Sequence, residues 1–273
     1  MQLFKKVLST FTLILCMGIM PAQAEKSIIV ASTTSMENSG FYKYILPLFT
    51  KDTGISVKYI SQGTGQAIET ARRGDVDVLF VHHKASELKF IQDGHGINRY
   101  KVMYNDFVIV GPKSDPSKVK SALTIEDAFT KLASAKANFI SRGDDSGTHK
   151  RELSLWKNIN ITPKGKWYVE TGSGMGVVLN MVASKNAYTI TDRSTWLSFN
   201  NKKDLTIVFE GSKKLFNQYA LISINPKKHP HIKSDLSNIF IKWFISPHGQ
   251  KTIANFKIMG KQAFVPNAMQ KNN

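Results

Sequence analysis

Cysteine is nearly absent from this chain of 273 residues: Cys16 is the only one. A lone thiol excludes an intramolecular disulfide framework and any metal site built on thiolate pairs, so stability has to come from a packed core. Long apolar runs are missing as well. Nothing beyond the N-terminus approaches the roughly 18 consecutive apolar residues that a membrane-crossing helix requires. Arginine is scarce, with six residues against 31 lysines, and no basic run exceeds two residues, as at Lys202-Lys203 and Lys213-Lys214. The formal charge of +17 is therefore spread over lysines. It lacks the stripe of Arg and Lys with interleaved aromatics that marks a nucleic-acid surface, and it reads as a solvated basic face.

What is present begins with an export signal. Lys5 and Lys6 form a basic start, Val7 to Met20 an apolar stretch, and Ala22-Gln23-Ala24 a small-x-small cleavage pattern. Cleavage after Ala24 would remove the cysteine and leave 249 residues with a charge of +15. A lipid anchor on Cys16 is disfavoured because Leu15, not a small residue, precedes it. The expected mature product is exported and soluble.

The mature chain alternates strand and helix. Ser27 to Ala31 reads as a buried strand, Phe41, Ile45, Leu48 and Phe49 recur at helical spacing, and Ile55 to Ile60 forms the next strand. A helix over Thr64 to Arg73, a strand over Val76 to Val81 and a short helix over Ala85 to Asp93 follow. Gly54, Gly74 and Gly94 each stand just beyond a helical stretch, where a left-handed residue is wanted. A β-rich stretch from Tyr100 to Val110 ends at Gly111-Pro112. A second alternating series then runs through helices 125–133, 148–157 and 174–185 and strands 138–140, 167–170 and 187–190. Strands return within 205–224, and 233–256 is helical with a break at Pro247. The pattern predicts an α/β protein of two lobes, each a mostly parallel sheet flanked by helices, joined by two crossover strands. Lobe 1 would comprise 25–111 and 215–273, and lobe 2 would be 112–214. Such a pair of connections makes a hinge that can close on a ligand.

Four loops share one chemical character, with hydroxyls, glycines and free main-chain N–H groups at the start of a helix. They are Ala31-Ser32-Thr33-Thr34-Ser35, Gln62-Gly63-Thr64-Gly65, Ser141-Arg142-Gly143-Asp144-Asp145-Ser146-Gly147-Thr148, and Thr171-Gly172-Ser173-Gly174. Ligands of open α/β sheets sit at the carboxyl ends of strands, and helix N-termini there suit anions. For any one loop a simple helix cap is the competing explanation. Four together favour an anion site, and Arg142 stands out as a rare arginine inside the most Gly- and Ser-rich of them. Asp144 or Asp145 could instead accept a hydrogen bond from a protonated phosphate oxygen, which keeps phosphate as an alternative ligand. A hydrolase using Ser146 or Asp144 lacks a base at arguable spacing. Gly63-x-Gly65 lacks a third glycine, so the dinucleotide fingerprint fails. His82-His83 and His229-Pro230-His231 lack supporting carboxylate or thiolate spacing and read as packing or surface histidines rather than metal ligands.

Ser32-Thr33-Thr34-Ser35 and the run from Ser141 to Glu152, Ser-Arg-Gly-Asp-Asp-Ser-Gly-Thr-His-Lys-Arg-Glu, resemble the TupA-type tungstate-binding proteins of ABC importers. Asp75 to Lys84, Asn105 to Pro112 and Tyr188 to Arg193 are similar to the same family, so the resemblance spans nearly the whole mature chain. Ser32 stands where the family motif has a third threonine, and Arg151 where it usually has lysine. The resemblance implies a monomeric periplasmic binding protein, not an enzyme, that closes on tungstate or molybdate without a cofactor. Its partners would be an inner-membrane ABC permease and its ATPase. It further implies ligand contacts from Thr33, Thr34, Ser35 and Thr64 in lobe 1, and from Arg142, Ser146, Gly147, Thr148 and Ser173 in lobe 2.

Overall fold

The computed structural model describes residues 26–269. The expected signal segment 1–24 lies outside the described residues. The first half of the chain follows the predicted alternation closely: β1 (Ser27–Thr33), α1 (Thr34–Asn38), α2 (Phe41–Thr53), β2 (Ser56–Gln62), α3 (Thr64–Arg73), β3 (Val78–Val81), α4 (Lys84–Gln92) and β4 (Gly96–Pro112). The second half continues with α5 (Ile125–Ser134), β5 (Phe139–Ser141), α6 (Gly147–Asn158), β6 (Tyr168–Glu170), α7 (Met175–Lys185), β7 (Thr189–Asp192), α8 (Arg193–Ser198), β8 (Leu205–Phe209), β9 (Phe216–Ile224), α9 (Ser234–Ile245) and α10 (Pro247–Asn255). Three two-residue strands, β10 (Lys257–Ile258), β11 (Lys261–Gln262) and β12 (Val265–Pro266), end it. Two single-turn helices, α1 and α8, were not predicted. Five or six residues are too few to display a 3.6-residue period.

The strands build two lobes. In the first, the order is β2-β1-β3-β9-β4-β12, with β1 parallel to both β2 and β3. In the second, β4 lies antiparallel between β7 and β8. There β5 runs parallel to β6, and a Phe139–Tyr188 bridge ties β5 to the strand leading into β7. The sheets are thus mixed: parallel where strand and helix alternate, antiparallel where β4 and β9 cross between lobes. β4 pairs with β9 from Gly96 to Asp106 and with β7 from Phe107 to Val110, so one continuous strand belongs to both sheets.

Alternation of side chains along these strands divides each lobe into two apolar layers. Ile28, Val30, Val78, Phe80 and Leu221 meet α2, α9 and α10 on one face, while Ala31, Leu79, Val81 and Ile222 meet α3 and α4 on the other. In the second lobe Phe107, Ile109 and Ile190 pack under α5 and α6, and Val108, Val110 and Ile140 under α7. Gly74 is required twice over at the end of α3. Its φ is +82°, and a Cβ there would lie 2.5 Å from His229 Nδ1. This contact, and the His231 Nε2 to Gly74 carbonyl distance of 2.8 Å, show the 229–231 histidines to be packing residues.

Beneath α6 lies a buried carboxyl. Glu152 accepts from Trp156 Nε1 at 3.2 Å and from the Tyr168 hydroxyl at 2.7 Å, with no ion pair to a cation among the described residues. Burial pushes its pKa up to about 7, against the pull of those donors. Folded protein therefore holds this proton between about pH 4.5 and 7 while the unfolded chain has released it. Stability contributed by Glu152 is complete below that window and is lost as pH rises through it. Glu152→Gln keeps the Oε1 acceptor and cannot ionise. At about pH 8 it should be more stable than wild type by roughly 1–3 kcal/mol, with the gap closing toward pH 4.5. Denaturant melts of both proteins across this range check it, and a gap independent of pH would contradict it.

Candidate functional site

Six parallel strands, three from each lobe, aim their carboxyl ends at the cleft between the lobes, and each end supplies polar groups. β1 delivers Thr33, Thr34 and Ser35, β2 leads to Thr64, and β3 ends next to His82. From the second lobe, β5 leads to Arg142 and the 143–148 loop, β6 to Glu170, and β7 ends in Asp192. Thr33, Ser35, Thr64, Arg142, Ser146 and Thr148 are all buried although they are polar. Burial of this many polar groups at one cleft costs free energy unless each finds a partner.

The two lobes touch here. The Gly147 N–H donates to Thr64 Oγ1 at 3.1 Å, a direct hydrogen bond between the first and second halves of the predicted site. A Cβ on Gly147 would lie 3.0 Å from Thr64 Oγ1 and 3.1 Å from His82 Cε1, so the absent side chain is what lets α6 approach lobe 1. A groove of about 690 Å³, lined by Gln62, Gly65, Gln66, Arg72, Asp144 and Lys150 among others, lies next to this contact, and none of the predicted ligand residues lines it.

Arg142 is 4% exposed. Its Nε and Nη2 both donate to Asp144 Oδ2, at 3.1 and 2.5 Å, while Nη1 makes no hydrogen bond to any described residue. Burial raises the Asp144 pKa, but the Arg142 guanidinium and the Ser146 hydrogen bonds outweigh it and hold the carboxyl below its ordinary range. Asp145 pairs with Lys150 at 3.0 Å, so neither aspartate caps α6. The cap is Ser146, whose hydroxyl accepts from the His149 N–H at 3.3 Å.

Capping does not account for the first loop. Thr33 stands at the N-cap of α1 but makes no side-chain cap bond; its hydroxyl lies 3.0 Å from Ser35 Oγ instead. Gly63 occupies the corresponding position of α3 and has no side chain to cap with. Neither the Thr34 nor the Thr148 hydroxyl bonds to a described residue. Ser173 differs from the rest. Its hydroxyl donates to the Thr171 carbonyl at 3.1 Å, and its N–H lies within bonding distance of the Arg142 carbonyl and Thr171 Oγ1, so its donors serve the turn. Ser32 is likewise committed, donating to the Phe80 carbonyl at 2.9 Å and accepting from Tyr42.

Sequence reasoning missed a second layer. His82, read as a packing histidine, places Nε2 3.2 Å from Ser35 Oγ and Nδ1 2.9 Å from Asn217 Oδ1. Asn217 donates to Asn105 Oδ1 at 2.8 Å, and Asn105 donates to Asp192 at 3.3 Å. Asp192 caps α8 and accepts from Ser194 and Thr195. Asn105 lies within β4 between Tyr104 and Asp106, and Asn217 at the start of β9 between Phe216 and Gln218, and nothing in that residue order marks either one.

A family model described as the PBP superfamily domain matches residues 20–248. The tungstate-binding protein TupA of Peptoclostridium acidaminophilum is 48% identical over 250 residues, covering 90% of this chain and 87% of that protein. Two solved structures superpose on it. The tungstate-binding protein TupA from Desulfovibrio alaskensis G20 has a TM-score of 0.78 at 46% identity, covering 89% of this chain and 99% of that one. A structure described as the tungstate ABC transporter from Geobacter sulfurreducens has a TM-score of 0.79 at 49% identity, covering 85% and 100%.

Proposed function

Because this chain belongs to the PBP superfamily, and within it to the family of the tungstate-binding proteins TupA, we propose that it captures tungstate between its lobes and delivers it to an ABC permease. The observation that carries this reading is the donor set. Hydroxyls and main-chain N–H groups of Thr33, Thr34, Ser35, Thr64, Ser146 and Thr148, with Arg142, would supply the ligand contacts, and the Gly147 N–H, bonded to Thr64 Oγ1, holds the two sides together. Neutral donors and one guanidinium suit a tetrahedral dianion, because they replace its hydration shell without a full countercharge. Donors from both lobes make the closed form the binding form.

Phosphate is the weaker reading. At neutral pH it carries a hydroxyl that needs an acceptor, yet the Asp144 carboxylate is committed to Arg142 and Ser146. Asp145 is largely exposed and paired with Lys150. Molybdate shares the charge and nearly the size of tungstate and should compete with it. A catalytic role finds no support: Ser146 Oγ accepts from a main-chain N–H, and the His149 ring is turned to the Asp145 N–H and Glu170. The protein would act without a cofactor, as a monomer, in the periplasm, with a permease and its ATPase as partners. No helix among the described residues is long and apolar enough to cross a membrane.

Calorimetric titration of residues 25–273 with tungstate, molybdate, sulfate and phosphate tests this. One tungstate per chain is expected, with molybdate competing and phosphate at least about 100-fold weaker, equivalent to about 2.8 kcal/mol. Phosphate binding tightest, or no oxyanion binding, would overturn the assignment.

A further inference from the structure

The side-chain chain from Ser35 to Asp192 has a direction, and its far end sets it. The Asp192 carboxylate accepts from the Asn105 amide, from the Thr195 N–H and hydroxyl, and from Ser194. A carboxylate only accepts, so Asn105 must present its NH₂ to Asp192 and its oxygen to Asn217. Asn217 then donates to Asn105, and its own Oδ1 must receive the hydrogen on His82 Nδ1. A neutral His82 is therefore the Nδ1–H tautomer, with a lone pair on Nε2. That lone pair takes the Ser35 hydroxyl hydrogen across 3.2 Å. Ser35 Oγ would then keep lone pairs only, one of them open to the Thr33 hydroxyl 3.0 Å away, and lone pairs repel an oxyanion oxygen.

We propose that oxyanion binding takes up one proton at His82 Nε2, which turns the Ser35 hydroxyl round to donate to the ligand. The inference rests on the oxyanion reading of the cleft. The proton comes from solvent and adds to Nε2, which now donates to Ser35 Oγ. The Ser35 hydrogen, released from the ring, points at the ligand, and no other bond is made or broken. With His82 charged, the Ser35 hydroxyl can no longer serve as an acceptor for a ligand hydroxyl. This favours tungstate, molybdate or sulfate over hydrogen phosphate.

The surroundings fit a ring that is neutral without ligand and charged with it. Burial and the charges of Arg142 and Arg151 hold the His82 pKa below its ordinary value, while Asp192 and the Asn217 hydrogen bond pull it up. The N-terminus of α6 at Gly147 adds a positive dipole end against the ring. The Tyr219 ring lies 4.6 Å from it and the Phe107 ring 6.4 Å, and burial keeps the Tyr219 hydroxyl neutral. His83, next in sequence, caps α4 through Ser86 and has its own pKa lowered by burial. A dianion one hydroxyl away opposes burial and both arginines together.

Tungstate titrations at about pH 8, in two oxyanion-free buffers of different ionisation enthalpy, count the protons taken up. Close to one proton is expected. Affinity should fall by up to about tenfold per pH unit as pH rises, because the protonated form is the one that binds. His82→Gln should abolish both effects. Nitrogen NMR of the imidazole should show the Nδ1–H tautomer in free protein and both nitrogens protonated with tungstate bound, and it serves if the variant folds poorly. Binding without proton uptake, uptake that persists in His82→Gln, or a neutral ring in the complex would each overturn the proposal alone. If tungstate fails, the same measurement is made with whichever of molybdate or sulfate binds. If none binds, the oxyanion reading itself fails and takes this inference with it.

Discussion

Arg142→Ala is expected to weaken tungstate binding by about 100-fold or more while leaving the fold intact. A hydrogen bond to a charged partner contributes roughly 1.5–3 kcal/mol, which is about 10- to 150-fold. The loss should reach the upper end for a second reason: truncation leaves the half-buried Asp144 carboxylate without its guanidinium, beside an incoming dianion. Arg142→Lys should fall between, since an ammonium keeps the charge and loses the planar fork that grips Asp144 through Nε and Nη2. Asp144→Asn should act in the opposite direction and tighten binding, because it removes a negative charge that now occupies the arginine. Calorimetry on the three variants separates these outcomes. If Arg142→Ala binds tungstate as wild type does, the guanidinium is not a ligand and the cleft as described is wrong.

A side chain at position 147 should be nearly as damaging, through geometry instead of charge. The Cβ of alanine would sit 3.0 Å from Thr64 Oγ1 and 3.1 Å from His82 Cε1, a contact that a shift of a few tenths of an ångström relieves. Gly147→Ala should therefore cost about tenfold in affinity, near 1.4 kcal/mol. Valine adds two methyls beyond that point and should hold the lobes apart, lowering tungstate affinity by about 100-fold or more. Its backbone has an ordinary φ at the first turn of α6, and its contacts lie across the cleft, so the melting temperature of ligand-free protein should change little. Small-angle scattering gives the decisive reading. Wild type should contract on adding tungstate, and Gly147→Val should not. A Gly147→Val protein that closes and binds normally would show that the Gly147–Thr64 contact is incidental.

The alternating strands and helices, the glycines that end α2 and α3, and the loops that line the candidate site were readable from residue order alone. Each is a local property: a repeat of two or 3.6 residues, a left-handed turn, a cluster of hydroxyls before a helix. Arg142 was readable for a related reason, since a scarce residue type in a Gly- and Ser-rich loop is conspicuous without any contact map. His82, Asn105, Asn217 and Asp192 were not. They lie in four separate segments 23 to 135 residues apart along the chain, and residue order carries no trace of their hydrogen bonds. The same holds for the pairing of Arg142 with Asp144, for Ser173 turning its donors inward, and for Gly147 meeting Thr64. Burial in a shared low-dielectric cleft drives most polar groups there to a complementary partner, and which partner is within reach depends on how two sheets are hung on β4 and β9. Local chemistry thus named most of the groups able to face an anion; the packing of two lobes determined which of them are free to do so, and in which direction their hydrogens point.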